Sequence, residues 1–233
     1  MNEYKSGEII RFEEIASTNE YAKELRKDKK NVMIVAKRQS GGKGTKGRSF
    51  SSEEGGLYLT KLEFYTDFLA KDSFLIMLNS AVSVCKTLQH FGLKPVIKWP
   101  NDIFVNGKKI CGILIENTFT GNKIANSIVG IGLNVYNELP MELTEIATSM
   151  HLESGKKFSV SDVEKQLIIA LKQAYTIEDY RSFLGFMNKN LTLILGDERI
   201  PAILLCVEDD GRLRASIDGQ ERVFSSAEVS VRI

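Results

Sequence analysis

Two histidines, three cysteines and one tryptophan are all that 233 residues hold of those types, and no apolar run comes near the ~20 residues that cross a bilayer. Each shortage excludes something. His90 and His151 precede Phe91 and Leu152, so neither belongs to the H-R-D loop of a protein kinase. Cys85, Cys111 and Cys206 are odd in number and far apart in apolar surroundings, which argues against a disulfide framework or a metal site and describes reduced, buried thiols. With no membrane span, and no basic-then-apolar start of a secretory leader, the expectation is a cytoplasmic protein. Charge is balanced as well: 31 Lys and Arg against 30 Asp and Glu give +1. A nucleic-acid groove wants a basic face across a whole domain, with exposed aromatics among the cations for RNA, so no DNA binding is expected. Residues 1–50 nevertheless hold twelve Lys and Arg against seven Asp and Glu, an asymmetry that suits a local anionic ligand. At 43% hydrophobic and 26% charged, the chain has room for one sizeable domain of helices and strands plus a small satellite.

What is abundant is glycine next to positive charge. Residues 39–48 read Gln-Ser-Gly-Gly-Lys-Gly-Thr-Lys-Gly-Arg, four glycines among three cations. Glycine lets backbone N–H groups turn inward and approach a ligand, and Lys43, Lys46 and Arg48 surround the same concavity, which is chemistry for a phosphate. Gly42, Gly44 and Gly47 spell a G-x-G-x-x-G, and the stretch is one residue away from a Walker A loop. Both motifs require a helix to follow. Here residues 51–56 are breakers and 57–64 alternate as a strand, so the context is strand, glycine loop, strand. A solvated basic surface loop is the bland alternative. Rich in glycine and like charges, the loop is expected to be mobile without ligand and to order over one.

Along the chain, residues 8–15 alternate as a strand, and Ser17, Thr18 and Asn19 offer N-cap side chains to a helix over 20–28. A longer helix is expected over 72–91, from apolar residues at helical spacing. Residues 96–134 read as an antiparallel meander with turns at Asn106-Gly107 and Thr120-Gly-Asn122, broken at Trp99-Pro-Asn-Asp102. Gly130 and Gly132, two apart in its last strand, leave one face bare for a flat ligand or a close-packed backbone. Short helices follow over 144–150, over 163–174 capped by Ser161 and Asp162, and over 177–188. From Gly196 the texture changes to strands over 200–207, 213–217 and 223–233, a small all-β barrel that would need docking on the main domain.

Ser17-Thr18-Asn19, the 39–48 loop, Lys98-Trp-Pro-Asn-Asp102, the run Lys108-Lys-Ile-Cys-Gly-Ile-Leu-Ile-Glu116, Gly130-Ile-Gly-Leu-Asn134 and the ending Ala227-Glu-Val-Ser-Val-Arg232 resemble, in order and spacing, the biotin protein ligases. The resemblance covers nearly the whole chain. It implies an α+β fold: a mixed, largely antiparallel sheet flanked by helices in the class II synthetase-like catalytic domain (residues 1–190), plus a C-terminal SH3-like β-barrel (residues 191–233). It also implies the short type without an N-terminal repressor winged helix, because the Ser-Thr-Asn motif starts almost at once. The implied activity uses biotin and ATP with Mg2+ to make biotinyl-5′-AMP, then passes biotin to the acceptor lysine of a biotin carboxyl carrier protein. Mg2+ would come with ATP rather than sit in a protein cage, and the protein would be a monomer or homodimer.

By family position the biotin-binding residues would be Ser17, Thr18, Asn19, Gln39, Gly42, Lys43, Gly44, Thr45, Lys109, Gly112, Gly130 and Gly132. The ATP and adenylate would meet Lys43, Gly44, Arg48, Phe50, Trp99, Asn101, Lys109 and Asn134. The catalytic set would be Lys43, Arg48, Lys109 and Asp102, with Asp102 orienting or deprotonating the incoming lysine, or else merely capping the turn after Pro100. The loop departs from the family's usual G-R-G-R-x-G-R-x-W: Lys43 and Thr45 replace arginines and Phe50 replaces tryptophan. A lysine cannot fork onto two oxygens, and Thr45 removes a cation, so faster leakage of the adenylate is expected than in an arginine-bearing relative. Two alternatives remain open at this point, a lipoate or octanoate ligase of related fold and a non-catalytic binding module.

Overall fold

The computed structural model describes residues 8–232. Residues 1–7, counted in the expected first domain, and residue 233, counted in the expected last strand, lie outside the described residues. Seven strands make the main sheet: β1 (Glu8–Ile15), β2 (Val32–Gln39), β3 (Leu57–Leu69), β4 (Val96–Lys98), β5 (Asp102–Val105), β6 (Lys108–Thr120) and β7 (Lys123–Leu133). Their order is β1-β2-β3-β7-β6-β5-β4. β1 and β2 run parallel and every other neighbouring pair is antiparallel. The break expected at 99–102 is the turn of a hairpin between β4 and β5, narrowed to 99–101 because Asp102 already pairs in β5.

Period-2 alternation gives the sheet two different faces. Leu57, Leu59, Ile113, Val129, Ile131 and Leu133 point to one side. There they meet α2 (Phe74–His90), α4 (Val160–Ala170) and α5 (Ile177–Phe183) in the large core. Leu62, Ile34, Val32 and Ile128 point to the other side, under Ala22 of α1 (Thr18–Leu25). Because α1 is only eight residues long, the strands run on beyond its N-terminus, and there Gly130, Gly132 and Gly112 leave the face bare.

Four expectations are corrected. No helix spans 144–150; residues 144–148 strap the start of β6, and a separate short helix, α3 (Met150–Ser154), begins only at the last of the expected residues. β6 stops pairing with β7 at Cys111–Leu133, so the backbone of Lys109 has a free side. The strap fills it: Lys109 N–H donates to Ile146 O at 2.9 Å and Thr148 N–H donates to Lys109 O at 2.8 Å. α4 begins one turn early because Ser159, not Ser161 or Asp162, is its cap, accepting from Asp162 N–H, and the helix ends at Ala170. α5 stops at Phe183, since Gly185 packs its backbone on Val96 and donates to Ile97 O, and Phe186 and Asn188 then take positive φ.

The fourth correction concerns the C-terminal unit, whose first strand, β8 (Asn190–Leu195), precedes Gly196. With β9 (Glu198–Val207), β10 (Leu213–Ile217), β11 (Gln220–Phe224) and β12 (Val229–Arg232) it forms an antiparallel sheet in the order β11-β10-β9-β8-β12. Among the described residues no pairing joins β11 to β12, because β12 crosses to the far edge beside β8; hydrogen bonding leaves the expected barrel open. Leu193, Leu204, Leu213 and Val229 share the large core with α2 and the main sheet. Trp99 Nε1 donates to Gly211 O at 2.9 Å, and Arg181 bridges α5 to Asp209 at 2.8 Å.

Candidate active site

The bare strip is a pocket floor. Register places Gly132 beside Gly112, and Gly130 beside Leu114 and Thr60. A Cβ on Gly132 would lie 2.6 Å from Phe50 Cε1 and one on Gly112 would lie 3.2 Å from Phe50 Cε2, so the Phe50 ring rests on both glycines. It packs edge-on to Tyr58 at 6.5 Å and leaves a cavity of only ≈ 40 Å³. Any flat ligand laid on this floor must displace that ring.

One end of the pocket is neutral. Ser17 caps α1, its hydroxyl 3.5 Å from Glu20 N. Thr18 donates to Gln39 Oε1 from both its N–H (2.8 Å) and its hydroxyl (2.9 Å). The Thr60 hydroxyl lies 2.8 Å from Thr18 Oγ1 and 2.6 Å from Asn19 Oδ1, and Asn19 Nδ2 reaches Glu116 at 3.3 Å. Ser17, Thr18 and Asn19 are all buried. A buried polar set whose groups are mutually oriented presents fixed donors and acceptors to a neutral, amide-like group.

The other end is cationic. Lys109 Nζ pairs with Asp102 Oδ1 at 2.6 Å and stands 6.0 Å from the centre of the Phe50 ring. Register sets Lys98 beside Asp102. Burial lowers the Lys98 ammonium below the ordinary lysine value against the attraction of Asp102, and Lys109, Arg48 and Arg232 add repulsion. The glycine loop forms a narrow hairpin, with Gln39 bridged to Ser52, Lys43 to Ser49, and its tip turned at Lys46 and Gly47, both at positive φ. From the hairpin Lys43 reaches back to the α1 end, its Nζ 2.6 Å from Glu20 Oε1, whose carboxyl the bonds from Lys23 and then Lys43 hold below the ordinary range. Arg48 folds back on its own loop, donating to Thr45 O and Oγ1.

Most of the residues singled out from the sequence therefore meet. Ser17, Thr18, Asn19, Gln39, Lys43, Gly44, Thr45, Phe50, Asn101, Asp102, Lys109, Gly112, Gly130 and Gly132 line one pocket. Gly42 stands behind it in the hairpin stem, 3.3 Å from Gln39 Nε2 by its missing Cβ. Arg48 and Trp99 line a larger neighbouring cleft of ≈ 760 Å³ instead, between the main sheet and β12. Trp99 is buried beneath Gly211, and Asn134 is buried with Nδ2 on Thr148 O, tying down the strap. Asn101 Nδ2 donates to Ile113 O, which pins the turn before Asp102. Sequence reasoning missed Tyr58 and Thr60, although their two-residue spacing on the strand facing Gly130 and Gly132 was a signal, and it missed Lys98 and Ser52.

Comparison with known proteins bears on this arrangement. The model of the biotin/lipoate A/B protein ligase family matches residues 11–134, more than half of the chain. The bifunctional ligase/repressor BirA of Bacillus subtilis is 32% identical over 173 residues, covering 72% of this chain and 53% of its own. The chain thus spans about half the length of that relative. A biotin--[acetyl-CoA-carboxylase] ligase of Mycobacterium tuberculosis is 26% identical over 216 residues, 85% of this chain and 78% of that one. Among solved structures, the biotin protein ligase of Aquifex aeolicus in complex with biotin and ATP superposes with a TM-score of 0.77 at 27% identity, covering 97% of this chain and 98% of the other.

Proposed function

The chain belongs to the biotin/lipoate A/B protein ligase family, and from that premise we propose that it is a biotin protein ligase, which activates biotin with ATP and transfers it to a lysine of a biotin carboxyl carrier domain. One observation carries the reading: a glycine floor joins a neutral hydrogen-bonding end, Thr18 and Gln39, to the Lys109 ammonium, held by Asp102, with Lys43 on the rim beside α1. Biotin has that polarity, a neutral ureido ring at one end and a carboxylate at the other. The names of the relatives and the ligands of the Aquifex structure support the choice of substrates.

In the first half-reaction a biotin carboxylate oxygen attacks the α-phosphorus of ATP and pyrophosphate leaves. Two anions must be held in contact, and Lys43, Lys109 and the hairpin's backbone N–H groups offset their repulsion. Lys109 is held by Asp102 before ligands arrive. A phosphate oxygen at Lys109 replaces that carboxylate, and Asp102 is released toward the solvent side as the adenylate forms. The acceptor lysine arrives as an ammonium; Asp102 takes or orients its proton, the amine attacks the acyl carbon and AMP departs. Mg2+ would screen the phosphate charges. The same reading makes residues 1–190 the catalytic unit and residues 191–233 the C-terminal unit.

The test is the intact mass of a carrier domain incubated with the chain, MgATP and biotin, beside a tube with lipoate. A gain of one biotin that Lys109→Ala abolishes is expected. A lipoyl gain overturns the choice of substrate, and no gain with no pyrophosphate released overturns the reading.

A further inference from the structure

Ser52 sits among loop-forming residues, yet it is 3% exposed and belongs to no strand. Its hydroxyl is 3.0 Å from Phe50 O and 2.9 Å from Gln39 Nε2. A hydroxyl has one proton, and a carbonyl oxygen only accepts; the proton therefore goes to Phe50 O and the serine oxygen accepts from Gln39. The Thr18 backbone N–H, which can only donate, fixes the orientation of the Gln39 amide. Its nitrogen faces Ser52 and its oxygen receives the two Thr18 bonds. A flipped amide would set N–H against N–H at Thr18 and would draw the serine proton away from Phe50 O.

The other end of this relay is the glycine hairpin. Phe50 N–H donates to Gly42 O at 2.9 Å, and a Cβ on Gly42 would collide with Phe50 O and Ser52 Oγ, so the two hairpin strands are pressed together at this point. A shift of the Phe50 carbonyl therefore breaks its bond from the serine or carries the serine with it. The Phe50 ring is also the group that covers the glycine floor and must leave when a ligand enters.

We infer that Ser52 is a positioning residue that couples the two substrates: its hydroxyl links the amide that recognises biotin to the hairpin that closes on the nucleotide. The inference rests on the biotin ligase reading and deepens it. Biotin at Gln39 fixes the amide, the amide fixes Ser52, and Ser52 sets where Phe50 and the hairpin stand when ATP binds. Coupling of this kind is reciprocal, so each substrate tightens the other by the same factor.

The test uses the whole chain and α,β-methylene ATP, which cannot be cleaved at the reacting bond. Its affinity is measured by calorimetry with and without saturating biotin. The wild type is expected to bind the analogue about tenfold tighter with biotin, and Ser52→Ala less than about twofold tighter, while biotin alone weakens only about fivefold, the worth of one neutral hydrogen bond. Thermal melting reports whether Ser52→Ala is folded, which separates lost coupling from lost structure. Gln39→Glu leaves the serine in place but removes the N–H it accepts, and it is expected to lose the coupling as well. Wild-type coupling in a folded Ser52→Ala, or in Gln39→Glu should the alanine variant fail to fold, overturns the inference. So does a wild type that binds both ligands independently. A wild type that binds no biotin overturns the functional reading instead, and the coupling with it.

Discussion

Gly132 and Gly130 look equivalent in sequence, but adding one methyl to each has opposite consequences. At Gly132 the new Cβ meets only the edge of the Phe50 ring, the nearest atoms at 2.6, 2.8 and 3.0 Å, and that ring is the far end of a half-exposed side chain free to swing away. The fold loses little, and alanine in a strand recovers about 0.5–1 kcal/mol of the entropy that glycine forfeits. At Gly130 the Cβ collides with Asn19, whose amide is fixed by Thr60 and Glu116 under α1. Moving Asn19 breaks buried hydrogen bonds at about 1–3 kcal/mol. In a chain of this size that lowers Tm by roughly 2–4 °C per kcal/mol, so Gly130→Ala is expected to melt several degrees early. Gly132→Ala is expected to melt within about 3 °C of wild type. Binding reverses the picture: a methyl standing on the floor forces the ligand to retreat, an overpacking cost of about 1–3 kcal/mol, or about 5- to 150-fold in biotin affinity. Differential scanning calorimetry and biotin titration on the same samples decide the matter. Wild-type biotin affinity in a well-folded Gly132→Ala would refute the floor.

Asp102→Asn keeps a hydrogen-bond partner for Lys109 but accepts no proton. Pyrophosphate release is expected within about threefold of wild type, while transfer to the carrier falls about 100-fold or more; equal losses in the two steps would make Asp102 merely structural. Thr45→Arg is expected to slow release of the adenylate, followed by trapping free biotinyl-5′-AMP, and unchanged release would remove Thr45 from the account of leakage. Lys98 is held below its ordinary pKa by burial, so the unfolded chain binds more protons than the folded one between the lowered value and the ordinary one. The stability of wild type relative to Lys98→Met should therefore rise with pH as Lys98 deprotonates in the folded state and level off above the ordinary lysine range. Urea melts from neutral to alkaline pH measure it, and a flat difference would contradict a desolvated lysine.

The pocket's glycines were legible in the sequence because a strand has a period of two, so Gly130 and Gly132 declare a bare face wherever the strand lies. The hairpin turn at Asn106-Gly107 was legible for a similarly local reason, both residues adopting positive φ. Ser52 was not. Among Ser51, Glu53, Glu54, Gly55 and Gly56 it reads as one more loop residue, and only the closing of Gln39 against it, thirteen positions away, gives its hydroxyl a task. The strap was misread for a related reason: its spacing of apolar residues suits a helix, but the unsatisfied backbone of Lys109, distant in sequence, claims its hydrogen bonds. Trp99, placed near the ligand by its motif, is claimed by Gly211 from the other end of the chain.

That strap has a consequence for how the protein fails. Residues 141–147 are largely exposed, and the two backbone bonds at Lys109, with Asn134 on Thr148, hold the segment to the sheet. Opening so thin a segment takes far less free energy than unfolding the core beneath it. On heating, the grip on Lys109 would loosen while every helix is still intact. Turnover would then fade several degrees before any spectroscopic melt, so that a preparation judged native by circular dichroism is already idle. Amide hydrogens of 146–148 should exchange at that lower temperature, ahead of those in β3 and β7.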